Sequence, residues 1–554
     1  MYKPLLSLIN GHVSDSDCHC FTKGNIIVSW VGLVYIDGHR AQSKSVEAFA
    51  ELCQNLDIKH AVAKLRGCFF MIVRMGPATY CFTDNSGMYD AYRSSAAVSS
   101  SYLQLVANDK KSVDDIDPNA LIEFLQLANV YFHNTHFQDI KKIAYDEMTI
   151  SERSGELRVE KKNVDSIVDE PSSSESLIET FHHYKTAIEG IPTSVDATGG
   201  LDTRTVIAAL AASGAEFETS ISGYDGHPDV VLGKLVANAV GKPFFVTSHT
   251  IDNIESEFES VARSLDGLKG HLITQHRLLQ YQRDRFDRGI RLTLKGLGGE
   301  LFRDYIWVQD FPFYDKKTSD IEKMYRLRME MITLNKSILT EEYRNYAIES
   351  KKNRLKALHT YRLDSNTRTY DNIHVNQFLQ NAASRAATVS CYSSMTCNSP
   401  LAELHRLQYS FHQKRWRRFN GRYQRQFITE CHRPLARVLT TYGNSASSEP
   451  LYRLMGSLGL ARNYAKTLVR KVSQRYLNKT IFHVVPANHP EAYQRLINSE
   501  FAHNAMGTLK SEGIIQSSVN MDDVDPRFME SLLSSGWFLH QLRHGLTVEQ
   551  QSPD

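Results

Sequence analysis

The sequence predicts a mixed chain, β-rich in its first third and α/β beyond it, with a parallel sheet followed by a long, mostly helical C-terminal part. Three observations carry this. Before residue 168 the apolar runs are short, rich in β-branched and aromatic residues, and separated by turn residues. After a polar, serine-rich stretch the pattern changes to strand–turn–helix, repeated, then a third strand. From about residue 321 the apolar spacing is helical almost to the end.

The elements follow in order. Residues 25–36 form a β-branched and aromatic run that predicts a long strand. Residues 68–74 and 79–83 flank Met75-Gly-Pro-Ala, which predicts a hairpin. Residues 45–56 have helical spacing, and Asp117 before Pro118 predicts a capped helix start. The stretch 169–176, Asp-Glu-Pro-Ser-Ser-Ser-Glu-Ser, predicts a linker between a domain of residues 1–168 and one of 177–554. Beyond it the pattern predicts a helix at 176–189, strands at 191–195, 217–221 and 243–247, and helices at 203–213 and 229–240. A parallel sheet so built takes its ligands outside the strand C-termini.

Composition excludes several classes. At 554 residues two to four domains are expected. With 42% hydrophobic and 23% charged residues the balance is globular, neither disordered nor fibrous. The net charge of +2 does not mark a polyanion binder or an acidic tail. No run approaches the ~20 apolar residues that span a bilayer, and the apolar N-terminal run is too short for a secretory signal. The eight cysteines form no disulfide pattern, and Cys18-His-Cys20 lacks the second pair a zinc site needs, so reduced thiols in the cytoplasm are expected.

The residues that carry chemistry lie in Val195-Asp-Ala-Thr-Gly-Gly-Leu-Asp-Thr-Arg204. A strand ends and a helix begins within it. Two glycines let backbone N–H groups approach a ligand, and the helix N-terminus adds the positive end of its dipole. Thr198 and Thr203 add hydroxyls, and Asp202 adds a carboxylate that can hold Mg²⁺ beside phosphates.

Thr198-Gly-Gly-Leu-Asp-Thr203 resembles the Ser-Gly-Gly-x-Asp-Ser pyrophosphate loop of the asparagine synthetase superfamily, which includes asparagine synthetases, β-lactam synthetases and lasso-peptide cyclases. Ser222-Gly-Tyr-Asp-Gly-His-Pro-Asp229 resembles the family's second strand–loop–helix, near the adenine, and Leu294-Lys-Gly-Leu-Gly-Gly-Glu-Leu-Phe302 its Gly-x-Gly-x-Asp segment. Leu65-Arg-Gly-Cys-Phe-Phe, Thr83-Asp-Asn-Ser-Gly87, residues 117–125 and Thr135-His-Phe-Gln-Asp-Ile140 resemble its N-terminal glutaminase-type domain. The resemblance implies a degenerate Ntn-type (glutaminase-like) αββα domain. It implies a C-terminal PP-loop ATP-pyrophosphatase α/β domain after it. The implied activity is ATP- and Mg²⁺-dependent amide formation, in which a carboxylate is adenylated and an amine displaces AMP. Carried over by position, Thr198, Gly199, Gly200, Leu201, Asp202, Thr203, Ser222, Gly223 and Gly296 would contact ATP or pyrophosphate. Asp202 and Glu300 would hold the metal. The implied partners are a carboxylate substrate, which a peptide can supply, an amine, and a protein of the same pathway; neither membrane nor nucleic acid is expected.

Four departures bound this. Tyr2 stands where glutamine-hydrolysing members have the nucleophilic cysteine, so the N-terminal domain is expected to be non-catalytic and glutamine not to be the nitrogen source. Glu300 replaces the family's metal-binding Asp and is one methylene longer. Leu297 stands where other members carry Glu or Tyr and cannot move a proton. The loop expected after Pro434, Thr440-Thr-Tyr-Gly-Asn-Ser445, lacks the family's lysine; Lys414, taken as the catalytic cation, Arg437 and Lys466 are the alternatives. Between residues 405 and 480, 16 Lys and Arg face two Glu, a local excess of +14 that suits an acidic substrate or a face balanced elsewhere in the fold. A nucleic-acid-modifying enzyme would be expected to add paired cysteines, of which Cys391 and Cys397 are the nearest.

Overall fold

A computed structural model describes residues 4–15, 18–152, 156–171, 175–307, 310, 313–330, 337–379, 381, 386–392, 395–452, 454, 469 and 488–546. Tyr2 and Lys466 lie outside the described residues.

The first part holds strands β1 (Ser7–Ile9), β2 (His12–Ser14), β3 (His19–Lys23), β4 (Ile26–Tyr35), β5 (Arg66–Met75), β6 (Ala78–Thr83), β7 (Tyr92–Arg93), β8 (Ala97–Ser99), β9 (Lys141–Lys142), β10 (Glu147–Ser151) and β11 (Leu157–Lys161). They make two antiparallel sheets, ordered β2-β1-β8-β7-β9 and β11-β10-β6-β5-β4-β3. The β5–β6 hairpin pairs Met75 with Ala78 across the predicted turn.

Strand β5 is apolar without alternation because both its faces are buried. Phe70 and Ile72 pack with Leu8 and Val98 of the other sheet and with Leu6 just before it. Phe69, Met71 and Val73 pack with Val46, Phe49 and Ala50 of the helix Gln42–Asn55. On the far side, Tyr92 and Ala97 pack with the helices Tyr102–Asn108 and Pro118–Leu127. The layers therefore run helix, sheet, sheet, helices. Asp117 caps the last helix through Asn119 N–H, with Pro118 in its first turn. The turn 83–87 is organised by Asp84, whose carboxylate accepts from the N–H groups of Ser86, Met88 and Tyr89 at 2.7–3.0 Å.

The second part is built on β12 (Thr193–Asp196), β13 (Glu218–Ser222), β14 (Phe244–Thr247), β15 (Leu292–Leu294) and β16 (Thr396–Asn398), all parallel, in the order β14-β13-β12-β15-β16. β16 interrupts the stretch expected to be helical; its three residues carry too little periodicity to read. The helix Leu177–Ile188 starts at a capping box of Ser176 and Glu179. The helix Leu201–Ala212 is apolar almost all round because it lies between the sheet and the helix Arg422–Cys431.

The two parts share cores across the predicted linker. One cluster joins Tyr102, Leu121 and Phe137 to Phe258, Leu272, Leu509 and Phe538. Tyr35 Oη donates to Glu403 at 2.6 Å, and Glu403 accepts from buried Arg406 at 2.9 Å. Among the described residues no helix is long and apolar enough to cross a membrane.

The helix Pro526–His544 locks onto the second part through Glu530, which accepts from Ile273 N–H at 2.9 Å at the start of the helix Leu272–Asp287. Burial pushes this carboxyl up to about 7, against the opposing pull of the Ile273 and Leu272 N–H groups. Its proton is held more tightly in the folded than in the unfolded chain. The stabilisation is therefore full below the ordinary glutamate range and is lost as pH rises through about 7. Glu530→Gln is expected to remove a pH dependence of about 1–3 kcal/mol between pH 5 and 8, read by chemical denaturation at stepped pH.

Candidate functional site at the sheet's C-terminal edge

The strand order reverses between β12 and β15, and the turns leaving these two strands meet. The turn 197–200 leaves β12 and passes into Leu201–Ala212, with Gly200 at the N-cap. Thr198 and Thr203 hydroxyls lie 2.9 Å apart across it. Gly200 N–H points to Thr198 Oγ1 at 3.3 Å, and Gly199 N–H to Asp229 at 3.4 Å. The turn after β15 presses on this first helical turn. A Cβ at Gly296 would stand 2.5 Å from Thr203 N, and one at Gly299 2.6 Å from Asp202 Cβ. Neither position admits another residue without backbone movement.

A third segment closes over the turn. Thr441 N–H donates to Gly199 O at 3.1 Å. Buried Arg204 donates to the carbonyls of Val438 and Leu439 at 2.6 and 2.9 Å. The loop expected after Pro434 thus lies on the glycine turn, and it brings no lysine there.

Asp202 does not stand free. Arg303 grips it bidentately, Nη2 to Oδ2 at 2.7 Å and Nε to Oδ1 at 3.1 Å, and Gln424 Nε2 donates to Oδ1 at 2.9 Å and to Gly299 O at 3.1 Å. Burial alone would pull Arg303 down, but the Asp202 charge and hydrogen bonds hold it well above the ordinary arginine value. Glu300 accepts from His374 Nε2 at 3.1 Å. Burial pushes this carboxyl up, and the His374 hydrogen bond and charge outweigh it and hold it below the ordinary glutamate range. Among the described residues no group of three or more His, Cys, Asp and Glu is placed to hold a metal ion. With a guanidinium on both oxygens of Asp202, the arrangement does not fit a divalent cation at that carboxylate, because Mg²⁺ must sit within ~2.1 Å of its ligands.

The other predicted residues divide. Ser222 ends β13 and Gly223 follows it; the Ser222 hydroxyl is buried and has no hydrogen-bond partner among the described residues. Leu297 is half-buried among apolar side chains. Lys414 is exposed at the start of the helix Arg415–Arg418 and makes no ion pair among the described residues. Arg437 is paired at the surface with Glu449 at 3.0 Å. The structure brings neither to the glycine turn. Within the described part of the basic stretch, Arg406 pairs with Glu403, Arg415 with Asp315, and buried Arg418 bidentately with Asp371 at 2.7 and 3.0 Å; the stretch's cations beyond residue 452 lie outside the described residues.

Beneath the turn lies a network whose Tyr281 and Arg285 sequence patterns did not single out, although Asp196 and Lys295 fall in quoted motifs. Asp196, at the end of β12, accepts from Arg285 at 2.7 Å, Tyr281 at 3.2 Å and Lys295 at 3.3 Å. Burial would raise the Asp196 carboxyl, but Lys295 and Arg285 together hold it below the aspartate range. Burial also pushes up the thiol of Cys391, while its hydrogen bond with Cys397 and the charges of Lys295 and Arg285 bring it down to about 7. Arg303 and Gln424 were likewise missed. Arg303 lies three residues past Glu300, one residue beyond the segment already singled out, while Gln424 carries no motif.

No family model matches this chain, and no curated protein matches it. Several solved structures are similar in part, two of them as follows. One is titled as the structure of the allosteric regulatory enzyme of purine biosynthesis, at 11% identity and a TM-score of 0.18, covering 38% of this chain and 48% of that one. The other is titled as glutamine phosphoribosylpyrophosphate amidotransferase from B. subtilis complexed with ADP and GMP, at 12% identity and a TM-score of 0.18, covering 43% and 49%. The chain spans about half the length of each, and similarity at this level establishes no activity.

Two stability changes follow from the geometry. Gly296→Ala should lower the unfolding free energy by about 1–3 kcal/mol, because a methyl group has no space against Thr203 N. Arg418→Ala should cost about 3–5 kcal/mol by leaving Asp371 buried and unpaired. Arg415→Ala, which loses only a half-exposed pair, should stay within about 1 kcal/mol. Equilibrium urea unfolding of the three variants checks all of these.

Proposed function

We propose that the chain is an ATP-dependent, glutamine-independent ligase that joins a carboxylate to an amine. The observation that carries this is the turn 197–200 with its helix start, set where the order of a parallel sheet reverses. Such crevices bind ligands, and a glycine turn feeding a helix N-terminus binds phosphates. The buried, unpartnered Ser222 hydroxyl at the neighbouring strand end is a ready contact for the rest of the nucleotide.

In this reading the substrate carboxylate attacks the α-phosphorus of ATP, and the bond to the β-phosphate breaks. Backbone N–H groups at Gly199, Gly200 and Leu201, with the hydroxyls of Thr198 and Thr203, hold the departing pyrophosphate. The amine then attacks the acyl-adenylate carbonyl, loses a proton and expels AMP. Leu297 offers no base, which suits an amine that is already nucleophilic when neutral. The amine can belong to the same molecule, closing a ring in a peptide or small metabolite, or be ammonia or a second molecule, as in amidation of a small carboxylate or sugar acid. The magnesium ion implied by the resemblance has no step here, because Arg303 holds Asp202.

A non-catalytic nucleotide-binding scaffold is the second reading. It is favoured by the engagement of both candidate metal carboxylates, Asp202 by Arg303 and Glu300 by His374.

Purified chain with ATP and a panel of amino acids, peptides and sugar acids, with ammonia or simple amines, tests the proposal. AMP and pyrophosphate should appear in equal amounts with at least one carboxylate. Glutamine should not stimulate the reaction, and no glutamate should form. Thr203→Val should slow pyrophosphate release about 100- to 1000-fold, the usual loss of one hydrogen-bonding group acting on the developing charge. Release of ADP and phosphate, or glutamate formation during ATP use, would contradict it; ATP binding without any turnover would favour the scaffold.

A further inference from the structure

Away from the glycine turn, two histidines and a carboxylate stand in line at the outer end of the same sheet edge. His249 lies two residues beyond β14, and its Nε2 is 3.0 Å from Nδ1 of His276, in the helix Leu272–Asp287. Nε2 of buried His276 is 3.0 Å from a carboxylate oxygen of Glu257, in the helix Ile254–Ser264. At the other end, His489 N–H donates to His249 Nδ1 at 3.4 Å. These contacts fix where each proton sits. A backbone N–H can only donate, so His249 Nδ1 carries no proton. An ionised carboxylate can only accept, so His276 carries its proton on Nε2. Two neutral imidazoles then complete the line, with His249 Nε2–H donating to His276 Nδ1.

One more proton breaks this order. On His249 it occupies Nδ1 and faces His489 N–H. On His276 it occupies Nδ1, so His249 must carry its own proton on Nδ1, and the same donor-against-donor contact results. The surroundings also oppose that proton. Burial pushes His249 down to about 4, helped by the charges of His276, Arg277 and His489. Burial lowers His276 as well, against the pull of Glu257, which also faces Arg283 at 3.7 Å. Further out, Arg495 pairs with Glu255 at 3.5 Å, and Asp284 accepts from Thr247 Oγ1 at 2.5 Å. The segment held by the line is short. Asn488 accepts from Arg277 Nε at 3.0 Å and donates to Thr274 Oγ1 at 3.2 Å. The helix that follows, Ala492–Asn498, is anchored separately, by Ala492 and Leu496 in the core.

We propose that Glu257, His276 and His249 form an acid-sensitive latch, closed on Asn488–His489 while both imidazoles are neutral and opened by one proton. The proposal does not depend on the ligase reading. Because the closed latch keeps His249 neutral below its ordinary range, the latch is at full strength above about 6.5 and is lost as pH falls towards about 4. Acid then frees residues 488–491 from the end of β14 while the core stays packed.

Hydrogen exchange of the full chain at stepped pH, corrected for the intrinsic exchange rate, reads the His489 amide directly. Its opening constant should rise about tenfold per pH unit from about 6.5 down to about 4.5, because opening takes up one proton. Amides of the buried helix Glu500–Ser511, which holds no member of the line, should keep their protection over that range. The double variant His249→Gln, His276→Gln, whose amides donate and accept without titrating, should lose the pH dependence. An opening constant at His489 that is equal at pH 8 and pH 5 would overturn the latch, as would a pH dependence undiminished in the double variant. If the double variant does not fold, the wild-type chain still decides: parallel loss of protection at His489 and in Glu500–Ser511 would show global unfolding in place of a latch.

Discussion

The C-terminal edge of the parallel sheet depends on one close approach. The turn after β15 touches the first turn of Leu201–Ala212 so tightly that Gly296 and Gly299 have no space for a side chain. That contact fixes where the helix N-terminus points and brings the short turn Gly299–Phe302 alongside Asp202. Glu300 and Arg303 follow from it, one turned to His374 and the other to Asp202. The helix itself is held from outside by Arg204, which ties it to the covering segment at Val438 and Leu439.

Charge is distributed around this contact in two tiers. Below the turn, Arg285 and Lys295 flank the single carboxylate of Asp196, so the buried tier is net positive before any thiol ionises. Level with the turn, Arg303 faces Asp202, and burial strengthens both pairings relative to water. An anion arriving at the glycine turn therefore meets backbone N–H groups backed by protein cations. This is the charge that the proposed phosphate binding would draw on, since the covering loop brings no lysine.

Much of the architecture was legible in the sequence. The strand 25–36, the 75–78 hairpin turn, the Asp117 cap and the alternation after residue 176 all depend on local rules, such as β-branched runs, Gly-Pro turns and capping side chains, and all appear. The short strands β7, β8, β9 and β16 were not legible, because two or three residues show no period and are fixed by their neighbours. The glycine turn was found for the same local reason, since its residues are contiguous. Its partners were not. Gln424 reaches Asp202 from 222 positions away, and nothing in its surroundings marks it among so many arginines. The basic stretch shows the same limit: the +14 excess is a count in one dimension, and Arg406 and Arg418 are buried on Glu403 and Asp371, while the stretch's cations beyond residue 452 lie outside the described residues.

The central claim is that nucleotide phosphates lie on the turn between β12 and Leu201–Ala212. A structure determined with a non-hydrolysable ATP analogue tests it most directly. The account predicts β- and γ-phosphate oxygens within ~3.2 Å of the N–H groups of Gly199, Gly200 and Leu201, with Thr441 displaced from Gly199 O or retained as a cover. Phosphates bound elsewhere on the chain, with the Thr441–Gly199 and Asp202–Arg303 contacts unchanged, would contradict it.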